Sequence, residues 1–175
     1  MMTKPPSSFS ARCKRAVRHW RTTAAVGRRA FPAPTLAAIE AAIAQGERTH
    51  GAELRFIVEA SIDSAPIFHD ITTRQRALAL FAEYGVWDTQ ENCGVLIYIN
   101  LADREVEIVA DRNVNRRISS EQWQAICQIL TQGFARAAFH ESALDAIAKL
   151  NALLRLHFPD VSAQPNQLPD QPIVL

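Results

Sequence analysis

Four oxygen-bearing side chains, Asp88, Glu91, Asn92 and Asp111, stand in two short stretches on either side of an apolar run, and Arg112 follows the last of them. Carboxylate and amide oxygens are the hard donors that calcium and magnesium take, and a guanidinium beside them suits phosphate or another anion. The two stretches become neighbours only if the intervening chain folds back on itself. Residues 95–100, Val-Leu-Ile-Tyr-Ile-Asn, and 105–110, Glu-Val-Glu-Ile-Val-Ala, are separated by Leu101-Ala102-Asp103-Arg104, which predicts an antiparallel hairpin. A turn centred between Ala102 and Asp103 pairs residues whose numbers sum to about 205, which sets Asp111 beside Gly94 and the loop 88–92. Asp103 and Arg104 then lie at the opposite end, roughly 25 Å away at about 3.3 Å per residue. Local roles account for the same residues. Asp88 can cap a turn, Asp111 can pair with Arg112 or Arg116, Asn113 can turn the chain at positive φ, and Asp103 with Arg104 can shape the hairpin tip.

Other chemistries find little footing. The chain holds no GxGxxG, no GxxxxGK[ST], no HExxH and no GxSxG, so no nucleotide or redox cofactor is expected. His19, His50, His69, His140 and His157 are scattered without metal-ligand spacing. Cys13, Cys93 and Cys127 form no CxxC pair and are odd in number, which argues against a disulfide framework and fits a reducing cytosol. Cys127, Trp87 and Trp123 fall at positions that favour core roles.

The 175 residues are 48% hydrophobic and 21% charged, and they carry a net charge of +1, values of a soluble globular chain with one domain. That balance hides a division. Residues 1–31 hold Lys4, Arg12, Lys14, Arg15, Arg18, Arg21, Arg28 and Arg29 with no acid, whereas the rest of the chain is net acidic. Nucleic acid is not expected as a partner, and no run approaches the ~20 apolar residues of a membrane span. Residues 1–30 therefore read as a basic amphipathic arm. Arg12, Arg15, Arg18, Trp20 and Arg21 are its candidate contacts to an anionic membrane or a protein partner. The arm can equally pack on the acidic body, and an Arg-rich, acid-free start also resembles an organellar transit peptide. The expected location is the cytoplasm, with peripheral membrane attachment or an organelle as the alternatives.

The elements that position these residues follow from periodicity. A helix is predicted over 35–50, a strand with one more buried face over 53–60, and a helix from the Thr72–Gln75 capping box to Gly85 with Leu78, Phe81 and Tyr84 inward. The hairpin follows. A helix from the Ser119–Gln122 capping box then carries Trp123, Ile126, Cys127, Leu130 and Phe134, and a last helix spans about 142–156. A strand, a helix and a second strand imply a parallel crossover, so the sheet is mixed and the fold is an α/β/α sandwich. Residues 160–175, with three of the nine prolines, read as a disordered tail.

The run Gly94-Val95-Leu96-Ile97-Tyr98-Ile99-Asn100-Leu101-Ala102-Asp103-Arg104-Glu105-Val106-Glu107-Ile108-Val109-Ala110-Asp111-Arg112 closely resembles the TPM domain family. That family includes thylakoid-lumen phosphatase-like proteins of photosystem II repair and membrane-tethered bacterial relatives. Phe31-Pro32, Val86-Trp87-Asp88, Trp123 and Phe134 extend the resemblance over residues 31–159. It implies a Rossmann-like three-layer sandwich, calcium binding in some members and acid phosphatase activity in some. Many relatives have Asp-Asn-Gly where Asn92-Cys93-Gly94 stands here, and a glycine-rich turn where Ala110-Asp111-Arg112 stands.

Two functions remain open on the sequence. One is a noncatalytic binding, assembly or regulatory module with possible divalent-cation binding. The other is metal-assisted hydrolysis of phosphate esters, with calcium or magnesium on Asp88, Glu91, Asn92 and Asp111 and Arg112 on the phosphate. No nucleophile or general base is evident for the second.

Overall fold

The hairpin forms in the expected register, with Val95 opposite Ala110 and Asn100 opposite Glu105. It belongs to a four-stranded sheet in a computed structural model that describes residues 8–159 and 166–175. The elements are α1 (Phe9–Arg21), α2 (Ala24–Ala30), α3 (Ala33–Glu47), β1 (Glu53–Glu59), α4 (Ser64–Phe68), α5 (Thr73–Glu83), β2 (Gly94–Asn100), β3 (Glu105–Ala110), α6 (Arg112–Arg117), α7 (Ser120–Ala135), α8 (Phe139–His157) and β4 (Ile173–Val174). Strand order is β3-β2-β1-β4, antiparallel between β2 and β3 and parallel elsewhere.

Alternation along the strands assigns the two faces. Leu54, Phe56 and Val58 of β1 and Val95, Ile97 and Ile99 of β2 meet Ile39 and Ile43 of α3, Ile126 and Leu130 of α7, and Ile147, Leu150 and Leu154 of α8. The opposite face, with Ile57, Leu96, Tyr98 and Val109, meets Ala77 and Leu80 of α5, Val86 and Leu168. The chain is thus an α/β fold with a mixed sheet packed by helices. Both predicted capping boxes are present, Thr72 with Gln75 at the start of α5 and Ser119 with Gln122 at the start of α7. Gly85 ends the turn after α5 at φ +64°, as a residue without Cβ readily does. A Cβ on Gly94 would stand 1.8 Å from the Val86 carbonyl oxygen, so the loop after α5 can lie on β2 only if this position is glycine.

Several expectations are corrected. Phe81 and Tyr84 lie half-buried on the inner face of α5 as expected, but Leu78 is exposed and Ala77 and Leu80 complete that face. Trp87 is exposed rather than core, and Cys127 is half-buried. Asn113 lies in α6, a helix the periodicity did not predict, and the positive φ falls at Asn92 instead.

The largest correction concerns β1 and the C-terminus. Every residue of β1 is buried, including Glu53, Arg55 and Glu59, because its second face is covered as well. Residues 160–165 of the predicted disordered tail lie outside the described residues, but 166–175 run along that face. Glu53 accepts the amides of Gln167 (3.2 Å) and Leu168 (3.1 Å), and Arg55 donates to the carbonyls of Pro169 and Gln171. β4 then adds to the edge of β1, with Leu175 N–H donating to Val58 (2.8 Å). A proline-rich segment with little apolar surface is ordered here because buried charges satisfy its backbone.

Glu47 lies under the same segment, with one carboxyl oxygen accepting the Leu54 amide at 2.8 Å. Burial, reinforced by the nearby Glu53 and Asp170, pushes its carboxyl up to about 9. The folded carboxyl keeps its proton where the unfolded chain, near 4.5, has lost it. Its contribution to stability is complete below that value and drains away as pH rises toward 9. Chemical denaturation across this range should show stability falling with pH, and a flatter slope in Glu47→Gln. An unchanged slope would contradict the assignment. Deleting residues 166–175 should lower stability by roughly 3 kcal/mol or more, because Glu53 and Arg55 lose their partners. A melting temperature equal to that of the full chain would show that the segment is not a structural part of the sheet.

Candidate functional site

The C-terminal end of β2 is organised by polar side chains that follow one another across the sheet. Arg76 of α5 forks onto Glu59 at 2.7–3.2 Å, and Tyr98 donates its hydroxyl to the same carboxylate. Asn100 donates to Tyr98 at 3.1 Å and accepts the Asp103 amide at 2.8 Å, which shapes the hairpin turn. Tyr98 is pushed far above its ordinary range, first by burial and then by the Glu59 charge, so it remains a hydroxyl donor.

Asp103 is the centre of this end. Its side chain is 4% exposed and receives the Arg15 Nε and Nη2 groups (2.6–3.1 Å) and Arg18 Nη2 (2.5 Å). His19 Nε2 stands 3.1 Å away. His19 Nδ1 accepts the Ile62 amide at 2.9 Å, which leaves Nε2 as the protonated nitrogen facing the carboxylate. Burial alone would raise the Asp103 carboxyl, but the hydrogen bonds from His19, Arg15 and Arg18 outweigh it and hold the group well below the usual carboxylate range. Arg15 Nη1 also reaches the Ile71 carbonyl (2.7 Å), and Arg12 pairs with Asp70 (3.3 Å).

In its described residues the arm is therefore two helices, α1 and α2, with α1 held on the body by these ion pairs. Of its predicted contact residues, Arg12, Arg15 and Arg18 face the body, whereas Trp20 and Arg21 are exposed. Asp103, expected only to shape the hairpin tip, instead anchors this helix. The available signals were a lone Asn ending an apolar strand and a lone His within an arginine-rich helix.

Beside this ion cluster lies a pocket of about 820 Å³ at the carboxyl end of β2. Its walls are apolar, from Val26, Ile99, Leu101, Phe134 and Phe139, and three guanidinium-bearing residues line it, Arg18, Arg104 and Arg136. Arg104 and the neighbouring Ala137 both adopt positive φ, +56° and +58°, which is a strained choice for residues with a Cβ. Neither the Arg104 nor the Arg136 guanidinium has an ion pair or hydrogen-bond partner among the described residues, although the Arg136 amide donates to the Gly133 carbonyl (3.0 Å). Glu105 is the carboxylate lining the pocket, and it accepts the Thr73 hydroxyl.

At the opposite end, the hairpin does bring residue 111 to residue 94, and the Asp111 amide donates to the Gly94 carbonyl at 2.9 Å. Glu91, Asn92 and Arg112 line one cleft there, of about 490 Å³, together with Gln90, Asn113 and Arg116. Asp88 and Asp111 do not line it. Asp111 Oδ1 instead caps α6 by accepting the Arg112 amide at 2.6 Å. Asn113 ties the loop to the helix by donating to the Glu91 carbonyl (2.9 Å) and contacts the buried Cys93 sulfur (3.6 Å). Burial pushes the Cys93 thiol up to about 11, away from a reactive thiolate. Among the described residues no group of three or more His, Cys, Asp or Glu side chains stands close enough to hold a metal ion. With two guanidiniums on the cleft and Asp111 engaged in a cap, the donor set does not fit calcium or magnesium.

The fold has known counterparts. The NMR structure of the BA42 protein from the psychrophilic bacterium Bizionia argentinensis superposes with a TM-score of 0.73 at 24% identity, over 83% of this chain and 95% of that one, a likeness of fold. No curated protein matches the chain. The TPM domain family matches residues 28–153, a span that begins in α2, takes in the hairpin and the whole wall of α7 and ends within α8, and the chain belongs to that family.

Proposed function

We propose that the protein is a noncatalytic binding module whose ligand is a small anion with an apolar portion, taken up in the pocket at the carboxyl end of β2. The observation that carries this reading is the pairing of an apolar wall with Arg104 and Arg136, two guanidiniums left without protein partners at the same pocket. Open α/β sheets bind ligands outside the carboxyl ends of their strands, and arginine is the side chain best suited to forked recognition of phosphate or carboxylate. The apolar side chains of Val26, Leu101 and Phe134 supply the burial that a charged headgroup alone lacks. Glu105, held by Thr73, contributes a fixed acceptor rather than a free base.

The other reading, hydrolysis of phosphate esters with a divalent ion at the rim, draws on the family alone. Assay on a generic phosphomonoester with calcium, magnesium or chelator separates the two. Turnover that depends on the metal and is lost in Asp88→Ala and Asp111→Ala would replace the binding reading.

Calorimetry with hexyl phosphate, inorganic phosphate and hexanol tests the pocket. Hexyl phosphate should bind more tightly than either fragment, and Arg104→Ala with Arg136→Ala should weaken it by at least about tenfold, in line with the strength of charge-assisted hydrogen bonds. Equal affinity for hexanol, or no heat with millimolar hexyl phosphate, would reject the proposal.

A further inference from the structure

The arm is docked the wrong way round for an ordinary amphipathic helix. Packing normally buries the apolar stripe and leaves the charges in water. In α1 the side turned to the body carries Arg12, Arg15 and the buried His19. A flank turned away from these contacts carries Phe9, the half-buried Cys13, Val17 and Trp20 at spacings of four, four and three, a single ridge about 17 Å long at 1.5 Å per residue. Phe9 is 73% exposed, Val17 54% and Trp20 84%. Lys14 and Arg21 lie exposed along one border of that ridge, Arg28 and Arg29 follow on α2, and α1 contains no acidic residue.

We propose that α1, while still docked on the body, lies on an anionic lipid bilayer through this ridge. Charge complementarity selects the occupant. A second copy laid on the same face would bring Lys14 and Arg21 against their own counterparts, whereas anionic headgroups neutralise them as Trp20, Phe9 and Val17 enter the interface. The ridge is a convex helix face tipped with aromatic rings, the form of a helix that lies in the plane of a membrane. Among the described residues no helix is long and apolar enough to cross one. Docking on Asp103 also removes an obstacle: Arg15 and Arg18 share its carboxylate, which offsets part of their repulsion, so the helix need not be ordered by the lipid. None of Phe9, Lys14, Val17, Trp20 or Arg21 lines the pocket described above, so the two proposals stand or fall separately.

The test is co-sedimentation of the full chain with vesicles of equimolar phosphatidylcholine and phosphatidylglycerol, and with pure phosphatidylcholine, at about 20 mM and about 150 mM salt. Retention on the anionic vesicles alone, weakened by salt, is expected. Val17→Ser with Trp20→Ser should reduce it by about tenfold or more, and Lys14→Glu with Arg21→Glu by a similar factor. Both variants alter exposed side chains, and unchanged circular dichroism and melting temperature establish that they fold. As an independent readout, the blue shift of tryptophan emission on binding should vanish in Trp20→Phe, although Trp87 and Trp123 remain. Protein left in the supernatant with every vesicle, equal retention on neutral lipid, or full retention of either double variant would overturn the proposal. So would a dimer in sedimentation velocity that Trp20→Ser converts to monomer, which would assign the ridge to self-association.

Discussion

A carboxylate enclosed to the extent of Asp103 is tolerated only where cations and hydrogen-bond donors replace the water it has lost. Arg15, Arg18 and His19 supply that replacement, and all three come from one helix about 85 residues away in sequence. The dependence runs both ways. Without the carboxylate, three basic groups of α1 would face each other over the hairpin tip, and the helix would have no reason to turn its polar side inward. The Asp103 backbone is fixed in turn by Asn100, and through Tyr98 and Glu59 the same polar sequence ends on Arg76 of α5. α1 and α5 are thus joined by side chains that emerge from one face of β1 and β2, and a one-sided deletion anywhere in that sequence would strand a buried polar group.

Two surfaces follow from this one contact. Because α1 and α2 are held over the end of β2, Arg18, Thr22 and Val26 close one wall of the pocket whose other wall is the turn between α7 and α8. Because the polar side of α1 faces the body, its aromatic ridge faces outward. The described part of the basic arm is therefore part of the folded unit, one side of it lining the pocket and the other presented to solvent, with the cationic residues divided between the two.

Most of the sheet was legible in the sequence because its rules are local. A four-residue connection between apolar runs determines the register of β2 and β3, and two capping boxes mark the starts of α5 and α7 through hydrogen bonds made within four residues. What escaped depends on partners distant in the chain. The segment 166–175 looks unable to fold by composition, and it is ordered by Glu53 and Arg55, more than a hundred residues earlier. On α5 the periodicity placed Phe81 and Tyr84 correctly but not Leu78, whose place is taken by Ala77 and Leu80 in a cluster with Val86 and Leu168, which no periodicity connects to the helix. At the rim, register correctly brought residue 111 to residue 94, but register says nothing about where a carboxylate is spent, and Asp111 is spent on a helix cap. The pocket was missed for the same reason as Asp103: its walls come from the arm, the hairpin tip and the α7–α8 turn, three places that only the tertiary fold brings together.

The central claim is that Asp103 orders the arm. Hydrogen–deuterium exchange of the full chain and of Asp103→Asn, followed on peptides from α1 and from β1 and β2, addresses it directly. In the wild-type protein the α1 amides should be protected. In the variant their protection should collapse by a factor of about a hundred or more, the equivalent of roughly 3 kcal/mol for leaving three basic groups without their carboxylate, while the strands remain protected. Protection of α1 in Asp103→Asn equal to that of the wild type would contradict the account.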